Sequence, residues 1–440
     1  MTNIFIDHIF AATLFKSVIN IALLILCLYP IVGSFFWFAG ALSYRFIKTN
    51  KRDDDWQYIP AEHQPMITIM IPAHNEEVMI EHTINYLMNN LNYEKYEVLV
   101  TDDGSTDETP AILERLQSVY DNLRVVTIKK NQGKAHAFNV GVGFARGEFI
   151  LSNDADSIPE PDALWKYMSY FMGEEHANTA AVTANMDVQN RSTIIAKSQT
   201  VEFSSIVGVI KRSQVSALGN MYAYSGANTM YRRDALIDVG LFRQDRATED
   251  ISIAWDHQLN GWTTVFSPDI LFYMNVPENL DALYHQRKRW AKGGTEVLLT
   301  NFKRVVSHPG KYLKQWAFIT DQTLSIIWSL FFFVSTLIFL ISLVTFFFTG
   351  NYERVYHMFC MAFIFVTFEM FAGVLQLLSA LIVDDRGRKF KYLIFMPLYM
   401  LIYWQVNALA LVTTLIPAVK TILGYGSGTW VSPVRKHHTE

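Results

Sequence analysis

The chain has 440 residues, 51% of them hydrophobic and only 18% charged, with a formal net charge of −4. Soluble proteins average about 25% charged residues, so the composition argues against an ordinary cytosolic enzyme and excludes intrinsic disorder. No basic excess marks a nucleic-acid binder, and Cys27 and Cys360, each in an apolar run, provide neither a disulfide framework nor a cysteine metal site.

The first element is an apolar run from Ser17 to Tyr44, long enough to cross a bilayer core. It is too long for the apolar region of a signal peptide, and no small-residue cleavage site follows it. Arg45, Lys48, Lys51 and Arg52 follow instead, and that basic flank predicts a cytoplasmic face. A water-facing stretch then runs from Lys51 to Leu313. Within it Met66–Ile71 reads as a strand entering Pro72-Ala73-His74-Asn75-Glu76, with a helix over Val78–Leu91. A second strand, Glu97–Thr101, ends in Asp102-Asp103-Gly104 and leads to a helix through Leu116. Arg124–Ile128 is a third, followed by Asn131-Gln132-Gly133-Lys134 and a helix to Ala145. Phe149–Ser152 is a fourth, ending in Asn153-Asp154-Ala155-Asp156. Strand, loop and helix in repetition predict an α/β domain with a mostly parallel sheet, whose ligands bind beyond the carboxyl ends of the strands. Each polar cluster falls at such an end.

Asp154 and Asp156, one residue apart in a turn, suit a hard divalent ion, Mg²⁺ or Mn²⁺. Turns and caps produce many such pairs, and position at a strand end is what raises this one. Asp107 reads as a turn or cap residue, whereas Asp103 reads as a ligand to a base or ribose. Lys134, after a glycine at a strand–loop–helix junction, is placed near a nucleotide rather than in solvent. Further on, Thr248-Glu249-Asp250 opens a helical run in which Thr248 can cap. Asp250 can also serve as a general base. In Gln286-Arg287-Lys288-Arg289-Trp290 the residues Gln286, Arg289 and Trp290 share one helical face, suited to a diphosphate beside a stacked sugar. Arg287, Lys288 and Lys292 fit lipid headgroups. Three more apolar runs follow, Thr323–Phe348, His357–Val383 and Tyr392–Val419, the last interrupted by Pro397 and Pro417. The basic loop Asp384–Lys391 is expected in the cytoplasm. His74, His82, His136 and His285 lack metal-ligand spacing.

The ordered series Asp103, Asp154-x-Asp156, Thr248-Glu249-Asp250 and Gln286-x-x-Arg289-Trp290 resembles the processive family 2 glycosyltransferases, among them the cellulose, chitin and hyaluronan synthases. Asn190–Gln214, Ser225-Gly226, Gly293-Gly294 and Trp430-Val431-Ser432-Pro433 resemble more closely the branch of bacterial poly-β-1,6-N-acetyl-D-glucosamine synthases. Two stretches depart from that branch, Met186-Asp187-Val188-Gln189 and Pro433-Val434-Arg435.

The resemblance implies a GT-A-type nucleotide-sugar domain with a mostly parallel central sheet, inserted between N- and C-terminal transmembrane helices. The expected divisions are a membrane segment over 1–50, a cytoplasmic catalytic domain over 51–278, acceptor-site and interfacial helices over 279–322, membrane helices over 323–419 and a tail over 420–440. It implies a multi-pass enzyme of the plasma membrane, in contact with membrane lipid, that polymerises N-acetylglucosamine from UDP-N-acetylglucosamine. Ala73, Glu76, Asp103, Lys134 and Glu249 would bind the donor, Asp154 and Asp156 the Mg²⁺ or Mn²⁺, and Asp250 would deprotonate the acceptor. Gln286, Arg289 and Trp290 would hold the growing polysaccharide and the leaving diphosphate. The spans are few for a complete channel, which points to a small accessory membrane protein. The alternatives are another β-polysaccharide synthase or a non-processive enzyme acting on a lipid carrier.

Overall fold

A computed structural model describes residues 17, 24, 28–44, 60–385 and 388–425. Cys27, the basic flank from Arg45 to Arg52, Arg386 and the tail motif from Trp430 onward lie outside the described residues.

The first described helix, α1, spans Leu28–Tyr44. The α/β domain follows as β1 (Ile67–Ala73), α2 (Ile80–Asn90), β2 (Tyr96–Asp103), α3 (Thr109–Gln117), β3 (Leu123–Ile128), α4 (Lys134–Phe144) and β4 (Phe149–Ser152). Each element forms where the sequence predicts it. Strand β1 is buried along its whole length, as a central parallel strand covered on both faces should be. Ile67, Ile69 and Ile71 pack with Ile80, Ile84 and Leu87 of α2. Met70 belongs to the opposite face, with Phe138 and Val142 of α4. The alternation follows from the period of two in a strand.

The second half comprises β5 (Ile158–Pro159), α5 (Ala163–Met168), β6 (Thr179–Val188), α6 (Ile194–Phe203), a π-helical turn (Ser204–Ile210), α7 (Lys211–Leu218), β7 (Thr229–Arg232), α8 (Arg233–Asp238), α9 (Glu249–Leu259), β8 (Thr263–Met274) and α10 (Leu280–Val306). The sheet order is β3-β2-β1-β4-β7-β6-β8-β5. Strands β3, β2, β1 and β4 are mutually parallel. Strand β7 runs antiparallel to both its neighbours, and β6 and β8 are again parallel. The carboxyl ends of β1, β2 and β4 therefore open on one edge, where β7 and its preceding loop meet them.

The membrane-type elements are α11 (Leu313–Phe348), α12 (Tyr352–Asp385), a 3-10 segment (Arg388–Phe395), α13 (Met396–Leu398), a π-helical turn (Tyr399–Tyr403) and α14 (Trp404–Ile422). Among the described residues, Leu313–Phe348 and Arg388–Ile422 are long and apolar enough to cross a membrane, and Leu28–Tyr44 and Gly373–Ile382 are shorter apolar stretches. The run expected over Tyr392–Val419 is thus an irregular span, with Pro397 in the first turn of α13 and Pro417 inside α14. Both groups of elements touch the α/β domain directly. Ser213 Oγ on α7 donates to the Trp37 carbonyl of α1 at 2.6 Å. Lys389 Nζ, in the basic loop, lies 3.2 Å from Asp187 Oδ1 at the end of β6.

Candidate active site

The site is built on the edge where β1, β2 and β4 end. Ala73 closes β1 and is buried, and Glu76 just beyond it is buried too. The Glu76 amide donates to Thr109 Oγ1 at 2.9 Å, tying the loop to the start of α3. Asp103 closes β2, and its carboxylate accepts from the Gln132 amide at 3.1 Å and the Gly133 amide at 2.8 Å. It fixes the loop that delivers Lys134 to the first turn of α4. Asp107 takes its expected turn role, accepting from the Thr109 amide at 3.0 Å.

Lys134 crosses from α4 to the end of β4, with Nζ 2.6 Å from Asp154 Oδ1 and 3.4 Å from Glu249 Oε1. It also donates to the Gly226 carbonyl at 3.2 Å. Burial opposes the charge on this ammonium, but the Asp154 and Glu249 carboxylates outweigh it and hold the pKa above the ordinary lysine range. Gly226 is the hub of the cluster. Its carbonyl also accepts from Ser152 Oγ, and its amide donates to Asp250 Oδ2 at 3.1 Å. A Cβ there would stand 3.2 Å from Lys134 Nζ, 3.3 Å from Glu249 Oε1 and 3.4 Å from Asp250 Oδ2. A side chain there would crowd the Lys134 ammonium and the Glu249 carboxylate and touch that of Asp250.

Asp250 lies in the first turn of α9, where the helix dipole favours an acid. Its Oδ1 accepts from the Ile251 amide at 2.9 Å. Burial raises its pKa, Glu249 adds to the rise, and Lys134 and Arg289 oppose it. The result is a carboxylate more basic than a surface aspartate, still surrounded by cations that favour its ionised form. The structure corrects one sequence expectation here. Thr248 occupies the cap position, but its side chain makes no capping bond and its hydroxyl is buried without a partner. It is pressed instead against Gly293 of α10.

Asp154 keeps 28% of its side-chain surface open, whereas Asp156 is buried. Among the described residues no three His, Cys, Asp or Glu side chains converge as a complete metal cage. Two carboxylates in one turn, one of them partly open, fit a hard divalent cation that draws its remaining oxygen ligands from a diphosphate and water.

Helix α10 brings the last group. Arg289 is close enough to act electrostatically on Lys134 and Asp250. Trp290 packs edge-on to Phe203 at 6.5 Å. The second correction concerns Arg287, expected at lipid headgroups. It is buried, its guanidinium 2.5 Å from Glu202 Oε2 and 4.2 Å from the Trp290 ring centre. A charge that finds a buried partner far along the chain cannot be told from a surface charge by local pattern. Lys211, in a basic cluster whose sequence points to no role for it, also joins this region. It is buried with Nζ 2.9 Å from Ser225 Oγ, next to the hub glycine. Burial pulls its pKa down to about 8, against the opposing pull of Asp250.

A mixed sheet with acids and a lysine at its carboxyl edge is the frame of a nucleotide-sugar transferase, and comparison with known proteins agrees. The family described as glycosyl transferase family 2 matches residues 68–240. The mannosyltransferase PcManGT from Pyrobaculum calidifontis, solved in complex with GDP-Man and Mn²⁺, shares the GT-A-like fold with a TM-score of 0.51 at 18% identity, over 82% of this chain and 99% of that one. A poly-β-1,6-N-acetyl-D-glucosamine synthase of Staphylococcus epidermidis is 34% identical over 418 residues, 93% of this chain and 97% of that protein. The synthase of Staphylococcus aureus strain COL is 33% identical over 417 residues, with the same coverage. The chain is thus a glycosyltransferase of family 2, and within that class it belongs to the poly-β-1,6-N-acetyl-D-glucosamine synthase family.

Proposed function

We propose that this enzyme polymerises N-acetylglucosamine from UDP-N-acetylglucosamine into a β-1,6-linked polysaccharide, the exopolysaccharide of a biofilm matrix. The observation that carries the reading is the convergence of Lys134, Glu249 and Asp250 on the Gly226 backbone, beside the Asp154 turn. Ala73, Glu76 and Asp103 frame the uridine pocket. Lys134 and Arg289 offset the negative charge of the diphosphate. Asp154 and Asp156 would hold Mg²⁺ or Mn²⁺, which supplies Lewis-acid neutralisation of that diphosphate.

Asp250 then accepts the proton of the acceptor's C6 hydroxyl. The freed oxygen forms a bond to C1 of the donor sugar while the C1–phosphate oxygen bond breaks, and UDP leaves with the electron pair. Attack from the face opposite UDP inverts the anomeric centre to β. Trp290 stacks the terminal sugar of the polymer, and Gln286 orients it. Such an acceptor platform favours a processive enzyme over one that moves a single sugar to a lipid carrier.

The catalytic domain, residues 51–278, faces the cytoplasm, where UDP-sugars are made, and 323–419 form a multi-pass anchor in the plasma membrane. The Lys389–Asp187 contact supports a basic loop on the catalytic side, as the excess of positive charge predicts. Residues 279–322 lie at the lipid interface, and a small accessory membrane protein completes the route of the polymer.

The test uses purified full-length protein with radiolabelled UDP-N-acetylglucosamine and Mg²⁺. Labelled product longer than a few sugars, cleaved by a β-1,6-hexosaminidase, is the expected result. Transfer that stops at one sugar per acceptor overturns the polymerase reading.

A further inference from the structure

Helix α10 and helix α6 are joined by a charge pair that the transfer chemistry does not use. Arg287 and Glu202 are both buried, 2.5 Å apart, and separated by 85 residues in sequence. Burying two charges carries a desolvation cost that their attraction offsets only with good geometry, so such a pair is weak evidence for stability by itself. Its placement says more. The Arg287 guanidinium lies 4.2 Å from the centre of the Trp290 ring, a cation–π contact, and Phe203, the residue after Glu202, meets the same ring edge-on.

The indole is therefore held by two consecutive residues of α6, one directly and one through a guanidinium. Helix α6 and the π-helical turn after it are also tied to the C-terminal elements. Ser198 Oγ lies 2.5 Å from the Tyr403 hydroxyl, and Gln376 Nε2 of α12 donates to Ser205 Oγ at 2.9 Å. Around the pair, Gln199 Oε1, Glu202 Oε1 and Ser204 Oγ on the α6 side, with Gln286 Oε1 and Arg287 Nε on α10, are buried and have no hydrogen-bond partner. Buried polar atoms are nearly always paired. The Trp290 ring that these residues hold is itself only partly buried, so part of it stays open to a ligand.

We infer that Glu202 and Arg287 are positioning residues for the acceptor: their contact fixes the Trp290 indole so that it retains the polymer end between additions, and so sets product length rather than donor cleavage. This rests on the polymerase reading and deepens it. Glu202 neither touches the donor nor the reacting atoms. It acts through Arg287, and Arg287 acts through the ring it stacks on. With the carboxylate gone, the guanidinium loses its anchor and the indole gains freedom to turn.

The experiment compares full-length wild type, Glu202→Gln, Arg287→Met and Arg287→Lys in detergent. UDP release and product size are measured in parallel, with added N-acetylglucosamine oligomers as acceptors. The expected result for Glu202→Gln and Arg287→Met is product shortened at least fivefold and a raised KM for the oligomer, with UDP release and donor KM within twofold of wild type. Arg287→Lys keeps the charge but not the flat stacking face, so it gives intermediate lengths. Unchanged length in all variants overturns the inference. So does a parallel loss of UDP release and length, which marks a merely structural pair. If Glu202→Gln and Arg287→Met do not fold, Arg287→Lys decides between the same two outcomes. A wild type that makes no polymer sinks the polymerase reading instead, a result distinct from either.

Discussion

Gly293→Ala tests how closely the position of Asp250 depends on α10. A Cβ at Gly293 would stand 1.9 Å from Thr248 Oγ1, 2.5 Å from its Cγ2 and 2.7 Å from its Cβ. No rotation of the Thr248 side chain relieves them all: with two heavy atoms on Cβ, at least one of the two positions facing Gly293 stays filled, and Cβ itself is fixed to the backbone. Opening 2.7 Å to the 3.4 Å of ordinary contact moves the two backbones apart by about 0.7 Å. Thr248 is two residues before Asp250, so the shift passes into the first turn of α9. A misplacement of about 1 Å costs on the order of 100-fold in rate. The expected loss in kcat is therefore 10- to 100-fold, by order of magnitude, with an overpacking cost of about 1–3 kcal/mol. UDP release under saturating donor measures the first, and thermal melting in detergent the second. Thr248→Ala in the same background removes the two closest contacts and should return part of the loss. Turnover within twofold of wild type for Gly293→Ala alone would refute the claim that this contact sets the base.

Asp250→Asn should abolish polymer formation while UDP binding, followed by calorimetry, stays near wild type; undiminished turnover removes Asp250 from the mechanism. Lys211→Met removes a buried ammonium whose pKa is depressed to about 8. The unfolded chain binds that proton up to its ordinary lysine range, so between the two values the unfolded state holds more protons. Wild-type stability relative to the variant should then be flat below about pH 8 and climb by roughly 3 kcal/mol toward pH 10.5, and a pH-independent difference in melting would contradict the burial. Asp187→Asn strips the acid shared by Lys389 at 3.2 Å and Arg191 at 2.5 Å. It should cost about 3 kcal/mol, more than Lys389→Met, which leaves Asp187 paired with Arg191; a Lys389→Met variant that melts with wild type would show the loop contact to be idle.

The parallel half of the sheet was readable because its chemistry is local. Short apolar strands such as Ile67–Ala73 run straight into acidic or amide turns, and a strand buried on both faces needs no alternation to be recognised. The acids of the candidate site stand out for the same reason, since each stands at a strand or helix end. Strand β6 was harder, for Thr179–Val188 mixes threonine, asparagine and aspartate into a buried strand. Its polar members are satisfied by distant partners, as Thr183 is by Thr229 at 2.8 Å. Lys211 and Arg287 were illegible as buried residues. In sequence they sit in basic clusters, the usual mark of a solvated or lipid-facing surface, and only the fold brings Ser225 and Glu202 to them.

Helix α10 ties the C-terminal helices and the candidate site to one element. Along a single helix, Arg287 grips α6, Gly293 lets Thr248 approach, and Glu296 accepts from the Ala247 amide at 2.8 Å, just before the acids of α9. Near the C-terminal end of α10, Arg304 donates to the Leu259 carbonyl at the end of α9 at 3.1 Å. Both ends of α9 are thus referred to α10. Opposite them, Tyr284 near the start of α10 lies 3.1 Å from Thr413 Oγ1 of α14. A displacement of α14 would therefore reach Trp290 and Asp250 through the same element. On the roles proposed for Trp290 and Asp250, the distance between polymer grip and base is preserved because both are measured from one helix, and a polymerase that must present each new chain end to the same carboxylate needs that constancy.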